Sequence, residues 1–335
     1  MTAIDVSRYV TSKPLELKVQ VLTPMFLGGS DGNAELRPAP FKAALRYWWR
    51  VLQGNLNYNR LYQEEANLFG GVSDKVNKSR ISLSILGNPK IDIPNIKSQP
   101  KVRHPEANKA NFKVDGPGYL AGMGVYNFRH GYTKKAILPN QEFSLRLMFP
   151  EEYQDTINNI LQLLNFFGTI GARSRNGFGS FYFKNLNNSR LKDSLVKNYV
   201  DVVNNDNNPY PHYLVKDEKG LTFWQLKNRN LQDYAEILRE LADIYISLKT
   251  SSYFKFQGPG PGNRHLLGYP IMHHNIREWG GNNGRLPSQL RLMVKPDSTA
   301  DINAYIVHFA HSSPAEKKSF SNIPEQNEIY KQANN

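Results

Sequence analysis

The sequence has no cysteine among its 335 residues. Disulfide bonds, thiolate metal sites and a cysteine nucleophile are therefore excluded. Residues 1–10 contain no apolar core of signal-peptide length, and no run approaches the roughly 20 apolar residues that span a bilayer. These absences predict a cytoplasmic protein that has no membrane segment and no membrane partner.

Acidic residues are few relative to basic ones. Lys and Arg together number 42, Asp and Glu number 29, and the formal net charge is +13. Most of the excess lies in residues 101–146 and 249–295, which are also rich in glycine, proline and aromatic residues. This distribution favours a polyanionic partner. A generically basic soluble protein is the alternative that net charge alone leaves open.

Motifs of nucleotide and metal chemistry are missing as well. The Gly28–Gly32 loop follows a predicted strand but lacks the lysine of a phosphate-binding loop. His273 and His274 are adjacent, so they lack the four-residue helical spacing of a zinc site. We therefore predict neither a cofactor nor a metal.

Hydrophobic patterns predict a β-α-β order that occurs twice in the first half of the chain. The predicted elements are strands at 15–22, 81–86, 143–149 and 181–183 and helices at 40–53 and 153–167. This order suits a ferredoxin-like α+β unit. Residues 87–135 are dominated by proline, glycine, lysine and asparagine, which predicts a long insertion with little regular structure.

An asparagine- and lysine-rich segment at 185–220 is the best candidate for a domain boundary. We predict an N-terminal ferredoxin-like module at 1–190 and a more divergent one at 191–335. The second module is expected to contain a helix near 230–248 and strands at 290–294 and 304–309.

Residues 171–181 read GARSRNGFGSF, with three glycines, two arginines and one phenylalanine before the next predicted strand. Glycine accepts positive φ and lets a ligand backbone approach, and successive N–H groups in such loops form anion-binding concavities. Arg173 and Arg175 present planar forks suited to phosphate oxygens. Phe178 offers a ring on which a base stacks. A glycine-rich hairpin turn with exposed arginines explains the local pattern equally well.

The predicted helix at 40–53 has a core face and an adjoining basic face. The core face consists of Phe41, Leu45, Trp48 and Leu52, and the basic face of Lys42, Arg46, Trp49 and Arg50. Cations four residues apart repel one another unless an anion lies along them, and an aromatic ring beside them offers a stacking surface. The face therefore favours nucleic acid. The alternative is a solvated basic face with both tryptophans in the core.

Three motifs carry a family resemblance: RPAPFKAALRYWWR at 37–50, NLFGG at 67–71 and GARSRNGFGS at 171–180. In this combination the chain resembles the RAMP superfamily of CRISPR-associated proteins. Within it, the chain is similar to the family of first RAMP subunits of type III-B (Cmr) effector complexes. The resemblance covers residues 20–182 well and is much weaker beyond residue 200.

The resemblance implies two ferredoxin-like modules packed together, with RNA bound along a basic groove. It also implies a non-catalytic subunit at one end of a ribonucleoprotein, where the 3′ portion of the CRISPR guide RNA and the 5′ portion of the target RNA lie beside other RAMP subunits. The resemblance and the two basic segments together assign RNA binding to Lys42, Arg46, Trp49, Arg50, Arg129, His130, Lys134, Arg173, Arg175, Phe178, Arg264 and Arg285, with Gly171, Gly177 and Gly179 shaping the loop.

Two other hypotheses stay open. His130, Tyr132 and Lys134 are neighbours in the sequence, and these residue types serve as general acid and base when relatives cleave RNA without metal. The second hypothesis is therefore a metal-independent endoribonuclease that processes guide RNA. A basic loop with one histidine contacts phosphates more often than it cleaves them, so we assign no catalytic residue. The third hypothesis is a general single-strand binder outside CRISPR systems.

Overall fold

A computed structural model gives the positions of most of the chain. The described residues are 14–29, 33–53, 56–72, 76–96, 101–106, 112–186, 195, 197–198, 213–217, 220–221, 223–226, 233–255, 262–269, 271, 274–277, 281, 285–296 and 301–310. Within these ranges, no helix combines the length and apolarity needed to cross a membrane.

The described chain alternates short strands with five α-helices. The helices are α1 (Pro38–Leu52), α2 (Tyr58–Phe69), α3 (Gly116–Ala121), α4 (Gln154–Phe167) and α5 (Tyr234–Thr250). The strands are β1 (Leu15–Val21), β2 (Gly71–Val72), β3 (Val76–Asn77), β4 (Ser82–Leu86), β5 (Ile91–Asp92), β6 (Lys101–Arg103), β7 (Lys113–Asp115), β8 (Tyr126–Asn127), β9 (Gly131–Tyr132), β10 (Ala136–Ile137), β11 (Glu142–Met148), β12 (Phe181–Phe183), β13 (Lys197–Asn198), β14 (Tyr213–Asp217), β15 (Gly220–Leu221), β16 (Phe223–Gln225), β17 (Leu290–Pro296) and β18 (Ile302–Ala310).

The first sheet has the order β12-β1-β11-β4, and its strands are antiparallel throughout. α1 and α4 pack against each other, and their apolar side chains share one core with the sheet. α1 begins with Pro38 and Pro40 in its first turn, where a proline costs the helix no hydrogen bond. The predicted strands and helices of this half are confirmed to within two residues at each end.

α2 was not predicted from the sequence. Its buried face consists of Leu61, Glu65, Ala66, Leu68 and Phe69, so a carboxylate interrupts the apolar spacing by which a helix is recognised. Asn57 caps the first turn, because its side-chain oxygen accepts the Arg60 N–H at 3.0 Å. α2 packs beside α1 and supplies Glu65, the carboxylate that pairs with the arginines of the basic face.

The insertion at 87–135 is more regular than expected. It contains two small hairpins, β6–β7 and β8–β9, and the short helix α3. The Asp115 carboxylate caps α3 by accepting the Gly118 N–H. α3 packs against α5. The insertion therefore forms part of the folded body around the second core.

The second sheet is built around β18. This strand pairs antiparallel with β17 over its length and, at its other edge, with β14 and β16. The predicted helix near 230–248 and the predicted strands at 290–294 and 304–309 are confirmed by α5, β17 and β18. The chain is thus a mixed helix and antiparallel-sheet protein.

The two larger hydrophobic cores of the described chain each contain residues from both sides of residue 190. The first core includes Met293 and Phe309 beside the first sheet. The second includes Phe26 and Phe178 beside Leu238 of α5. The halves are therefore joined by shared apolar packing, and the domain division at residue 190 stays a prediction.

Candidate nucleic-acid interface

The glycine-rich loop joins the two halves of the chain. The Gly177 N–H donates to the Leu292 carbonyl of β17 at 3.0 Å, and the Leu292 N–H donates to the Arg175 carbonyl at 2.9 Å. The Ser180 hydroxyl oxygen accepts the Val294 N–H at 3.0 Å. These bonds seat the loop firmly on the second sheet.

The three glycines are needed because the protein itself approaches them. All three have positive φ, which L side chains rarely adopt. A Cβ added to Gly171 would lie 2.6 Å from the Phe26 carbonyl oxygen, and one added to Gly177 would lie 2.6 Å from Leu238. Gly179 is pressed against the backbone of Ile170 in the same way. The prediction that the glycines admit a ligand backbone was wrong for these faces, because neighbouring protein atoms already fill them.

Several loop N–H groups are also engaged within the protein. The Ala172 N–H donates to Phe26 at 2.9 Å, the Asn176 N–H to Arg173 at 2.9 Å and the Gly179 N–H to Pro24 at 3.0 Å, each to a carbonyl oxygen. The Gly177 N–H is engaged as well, as described above. These N–H groups are therefore not available to form an anion-binding concavity. The groups of this loop that suit a polyanion are its arginine side chains.

The prediction that Phe178 stacks on a base was wrong. Its side chain is 0% exposed in the second core, with its ring centre 5.6 Å from that of Phe26 and 6.3 Å from that of Tyr132. Leu238 and Leu241 of α5 belong to the same core. Phe178 packs beneath the loop, where no base reaches it.

Arg173 and Arg175 both project toward one surface. Arg173 is exposed, has a φ of 60°, and donates from its guanidinium to the Met123 carbonyl. Arg175 is half-buried and donates to the Ser288 carbonyl at 2.9 Å. Both of these hydrogen bonds go to carbonyl oxygens, which carry no formal charge.

This surface is the wall of a cleft of about 1350 Å³. Its described lining comes from the loop, α3, the segment after β6, α5 and described residues between Lys255 and Ser288. The basic residues on its lining are Arg173, Arg175, Lys249, Lys255 and Arg264. On the described lining, Glu106 is the only carboxylate. The cleft is therefore strongly positive.

Lys249 is held in the cleft by two aromatic rings. Its ammonium group lies 4.3 Å from the ring centre of Tyr245 and 5.8 Å from that of Tyr119. Cation–π contacts of this kind fix the position of an ammonium group while preserving its charge. Its position on α5 was not assigned to the site from the sequence. Its position in the basic segment 249–295 was the feature of the sequence that could have indicated a role in the site.

His104 adds a titratable group beside these cations. Its ring packs against Tyr119, with ring centres 5.6 Å apart. Burial lowers the pKa of His104; Glu106 raises it, and Arg264 and Lys249 lower it further. The imidazole is therefore mainly neutral at pH 7.

The predicted basic face of α1 lies elsewhere, and one buried carboxylate offsets part of its charge. Glu65 of α2 is 1% exposed and forms ion pairs with both Arg46 and Arg50. One of these contacts, from Arg50 Nε to Glu65 Oε1, measures 2.8 Å. Burial, and then Arg46, lower the pKa of Lys42. None of the three cations lines the cleft.

The prediction that Trp49 offers a stacking surface was wrong. Its side chain is 3% exposed and lies edge-on to Phe69 of α2, with ring centres 6.1 Å apart. α2 covers this side of α1, so both tryptophans of the motif are in the core. α2 was not predicted from the sequence. Without it, this side of α1 was expected to be exposed, and Trp49 with it.

Arg129, His130 and Lys134 are exposed on the insertion, outside the cleft lining. Tyr132, which the ribonuclease hypothesis places with them, is buried between Phe26 and Tyr126. Burial raises the pKa of Tyr132 well above its ordinary value. His130 and Tyr132 both line a small pocket of about 340 Å³, whereas Lys134 is not on its lining, so the structure brings together two of the three groups.

Of the remaining residues that were predicted to contact RNA, one lines the cleft and one does not. Arg264 lines the cleft and is paired with Glu106. Arg285 is exposed beside Leu286, which lines the cleft, but is not part of the lining itself. His274 lines the cleft, and His273 lies outside the described residues. Across the described ranges, no group of three or more His, Asp or Glu residues is arranged to hold a metal ion.

Two cations of the basic segment 249–295 are buried between the sheets. The Arg291 guanidinium lies over the rings of Tyr47, Trp48 and Phe309 at 5.4, 5.6 and 5.0 Å. Lys295 donates to the Phe181 carbonyl, and burial, with Arg291 nearby, holds the pKa of Lys295 well below its ordinary value. These two residues contribute to the net charge of the segment without contributing to its surface.

The family of the chain follows from its sequence and is consistent with this fold. The family model of the RAMP superfamily matches residues 18–182. This stretch contains all three motifs. This part of the chain belongs to the RAMP superfamily, as the motifs predicted. No curated protein sequence matches the chain.

Solved structures extend the likeness over nearly the whole chain. Cmr1 from Pyrococcus furiosus, in its apo crystal form, is 16% identical with a TM-score of 0.54, over 90% of this chain and 89% of that one. A chain of the Type III-B Cmr-beta complex bound to cognate target RNA and AMPPnP (state 2, in the presence of ssDNA) is 12% identical with a TM-score of 0.53, over 95% and 97%. A chain of the same type of complex bound to cognate target RNA is 10% identical with a TM-score of 0.50, over 96% and 98%. At these identities the likeness establishes the fold.

Proposed function

We propose that this protein is a non-catalytic, RNA-binding subunit of a type III-B CRISPR ribonucleoprotein. In this proposal the cleft holds single-stranded RNA, either the 3′ region of the guide or the target, at one end of the complex beside other RAMP subunits. The chain comprises two ferredoxin-like modules divided near residue 190. The observation that carries the proposal is the cleft, whose described lining has five Lys and Arg residues and one carboxylate.

The dimensions and chemistry of the cleft favour a polymer over a small molecule. Pockets for small ligands usually measure about 300–1,000 Å³ and are mostly apolar. This cleft is larger, at about 1350 Å³, and has five Lys and Arg residues on its described lining. Cations track a phosphate backbone, and the half-buried ring of Tyr119 on the lining provides a stacking surface. Single-stranded RNA supplies both phosphates and unstacked bases.

The fold supports the assignment to a Cmr complex. The order β12-β1-β11-β4 with α1 and α4 alongside matches the β-α-β-β-α-β order of a ferredoxin-like unit. Structures of Cmr1 and of Cmr-beta complexes bound to target RNA share the fold over both halves of the chain. Burial raises the pKa of Tyr132, and Lys134 does not line the pocket that His130 and Tyr132 share; both observations weigh against the endoribonuclease alternative.

The test compares cleft cations with matched cations elsewhere. We expect Arg173→Ala and Lys255→Ala to weaken binding of a single-stranded RNA oligonucleotide severalfold. Each should reduce the slope of log K against log salt by about 0.7, the value for one phosphate contact on a single strand. Arg80→Ala and Lys18→Ala are the matched controls, since both residues are exposed and neither lines the cleft. Both should leave affinity and slope unchanged, as measured by fluorescence anisotropy.

Equal effects of the cleft and control substitutions would contradict the proposal. The same binding reactions, incubated in EDTA with CRISPR repeat RNA, distinguish the ribonuclease alternative. We expect full-length RNA to be recovered. A defined cleavage product that disappears in His130→Ala would favour the nuclease instead.

A further inference from the structure

Glu106 is the one acidic side chain on the described lining of the cleft, and it forms an ion pair with Arg264 of the same lining. It lies just beyond β6, whereas Arg264 lies in the 3-10 helix at Asn263–Leu267. The Arg264 Nη1 donates to both carboxylate oxygens of Glu106, at 2.8 and 2.9 Å. The pair therefore joins two segments of the cleft lining that are far apart in the sequence.

The two partners differ in how firmly the fold holds them. The Arg264 side chain is 11% exposed, whereas that of Glu106 is 32% exposed. Glu106 follows His104, whose N–H donates to the Phe112 carbonyl at 3.1 Å in the β6–β7 hairpin. The arginine is thus largely enclosed, and the carboxylate approaches it from the more accessible side.

A carboxylate and an RNA phosphate make the same demand on a guanidinium. Each presents two anionic oxygens, and arginine binds both groups through the same N–H donors. The position that Glu106 occupies on Arg264 is therefore one that a backbone phosphate can take in exchange. The exchange leaves Arg264 paired, so the enclosed cation is compensated both before and after binding.

We propose that Glu106 is a built-in competitor for RNA and sets the affinity of the cleft. It occupies the phosphate position on Arg264 when the cleft is empty, and the RNA backbone must displace it. The competition favours ligands that bind the other cations of the cleft as well, namely Arg173, Arg175, Lys249 and Lys255. A short or weakly charged ligand makes too few of these contacts to offset the loss of the Glu106–Arg264 ion pair. This inference rests on the proposed function, since it requires that the cleft bind RNA.

The decisive variant is Glu106→Gln, which preserves size and removes the charge. We expect it to bind single-stranded RNA at least about fivefold more tightly than the wild-type protein, in the range of ordinary coupling between sites. Its slope of log K against log salt should stay close to the wild-type value, because the RNA phosphate contacts Arg264 in both proteins and only the competing carboxylate is removed. Glu106→Ala should also bind more tightly with little change in slope.

Glu152→Gln is the matched control for the change in net charge. Glu152 forms an ion pair with Arg80 at 2.7 Å, both side chains are at least half exposed, and neither lines the cleft. We expect its RNA affinity to equal that of the wild-type protein. In the double variant Glu106→Gln/Arg264→Gln, the gain in affinity should disappear, and the salt slope should be shallower than the wild-type value by about 0.7, because the phosphate contact to Arg264 is lost.

The opposite result has a clear meaning. If the pair only braces the cleft walls, Glu106→Gln will bind RNA equally or less tightly and will lower the melting temperature, and the inference is overturned. RNA binding that depends on Arg173 and Lys255 would in that case still uphold the proposed function. If the wild-type protein and both single variants bind no RNA, the proposed function itself fails.

Discussion

Two regions of the molecule were expected to bind RNA, and they differ in what their cations face. On α1, Arg46 and Arg50 are both paired with Glu65, a carboxylate that is 1% exposed. In the cleft, five Lys and Arg residues share the described lining with Glu106 alone. The sequence shows similar basic patterns in both places. The electrostatic potential at each surface depends instead on the acidic side chain that the fold brings opposite.

The two carboxylates also differ in accessibility. Glu65 is enclosed between α1 and α2, so its ion pairs are part of the structural core of the first half. Glu106 lies on an accessible segment at the rim of the cleft. A buried ion pair is costly to break, whereas an accessible one exchanges partners readily. The α1 face is therefore expected to stabilise the fold, and the cleft to bind the ligand.

The largest expected effect is that of Trp49→Ala. Removing this buried ring from its contact with Phe69 should lower the free energy of unfolding by about 3–5 kcal/mol. Chemical denaturation measures the change. Trp49→Phe retains an aromatic ring and should cost less. If the folded fraction of Trp49→Ala bound RNA more weakly at unchanged stability, Trp49 would contact RNA after all.

Glu65→Gln tests whether the ion pairs on the α1 face stabilise the fold. Removing the carboxylate leaves Arg46 and Arg50 without their buried counter-ion, and the free energy of unfolding should fall by about 2–3 kcal/mol. Both arginines are partly exposed and regain some hydration, so we expect the lower part of the usual range. Urea unfolding provides the measurement.

The RNA affinity of Glu65→Gln then sharpens the contrast with the cleft. We expect it to equal that of the wild-type protein, because the released cations lie away from the bound strand. Glu106→Gln makes the same chemical change and should tighten binding. A gain in affinity in Glu65→Gln would show that the α1 face also contacts RNA.

The smallest expected effect is a pH dependence that arises in the cleft. Burial lowers the pKa of His104 from its ordinary value of 6.5, so the ring gains its charge only below that pH. Bound phosphate favours the charged ring, and RNA affinity should therefore rise as the pH falls from 7.5 to 5.5. The gain should be at most about tenfold, the equivalent of a pKa change of one unit. Binding titrations at constant ionic strength measure it.

His104→Gln should reduce this gain, and a variant that kept the full pH dependence would assign it to another group. Stability should move in the opposite direction to affinity. Because the folded state disfavours the charged ring, the wild-type protein should lose stability as the pH falls below 6.5. Melting temperatures measured without RNA over the same pH range test this sign.

Much of the first sheet was predictable from the sequence because its strands and helices have regular apolar spacing. Leu17, Val19 and Val21 alternate along β1, and Ile157, Ile160 and Leu164 follow the helical period of α4. α2 was missed because Glu65 occupies a position on its buried face. That single omission led to the wrong expectation for Trp49 and hid the counter-ion of Arg46 and Arg50.

The glycine-rich loop shows how far a motif can be interpreted without a structure. Its sequence correctly indicated that Gly171, Gly177 and Gly179 occupy unusual backbone conformations. It gave no indication of which atoms approach them, because Phe26 and Leu238 are distant in the chain. Phe178 illustrates the same limit, since a phenylalanine beneath a loop and one above it have identical local sequences.

The sequence by itself determined the family, the strand and helix order of the first half and the excess of positive charge. These properties depend on residue spacing and composition, which are local. Only the tertiary structure decided which cations are buried, such as Arg291 and Lys295, which are neutralised and which line the cleft. Charge acts through space, so its effect depends on residues that folding brings together from distant positions, as it does Glu106 and Arg264.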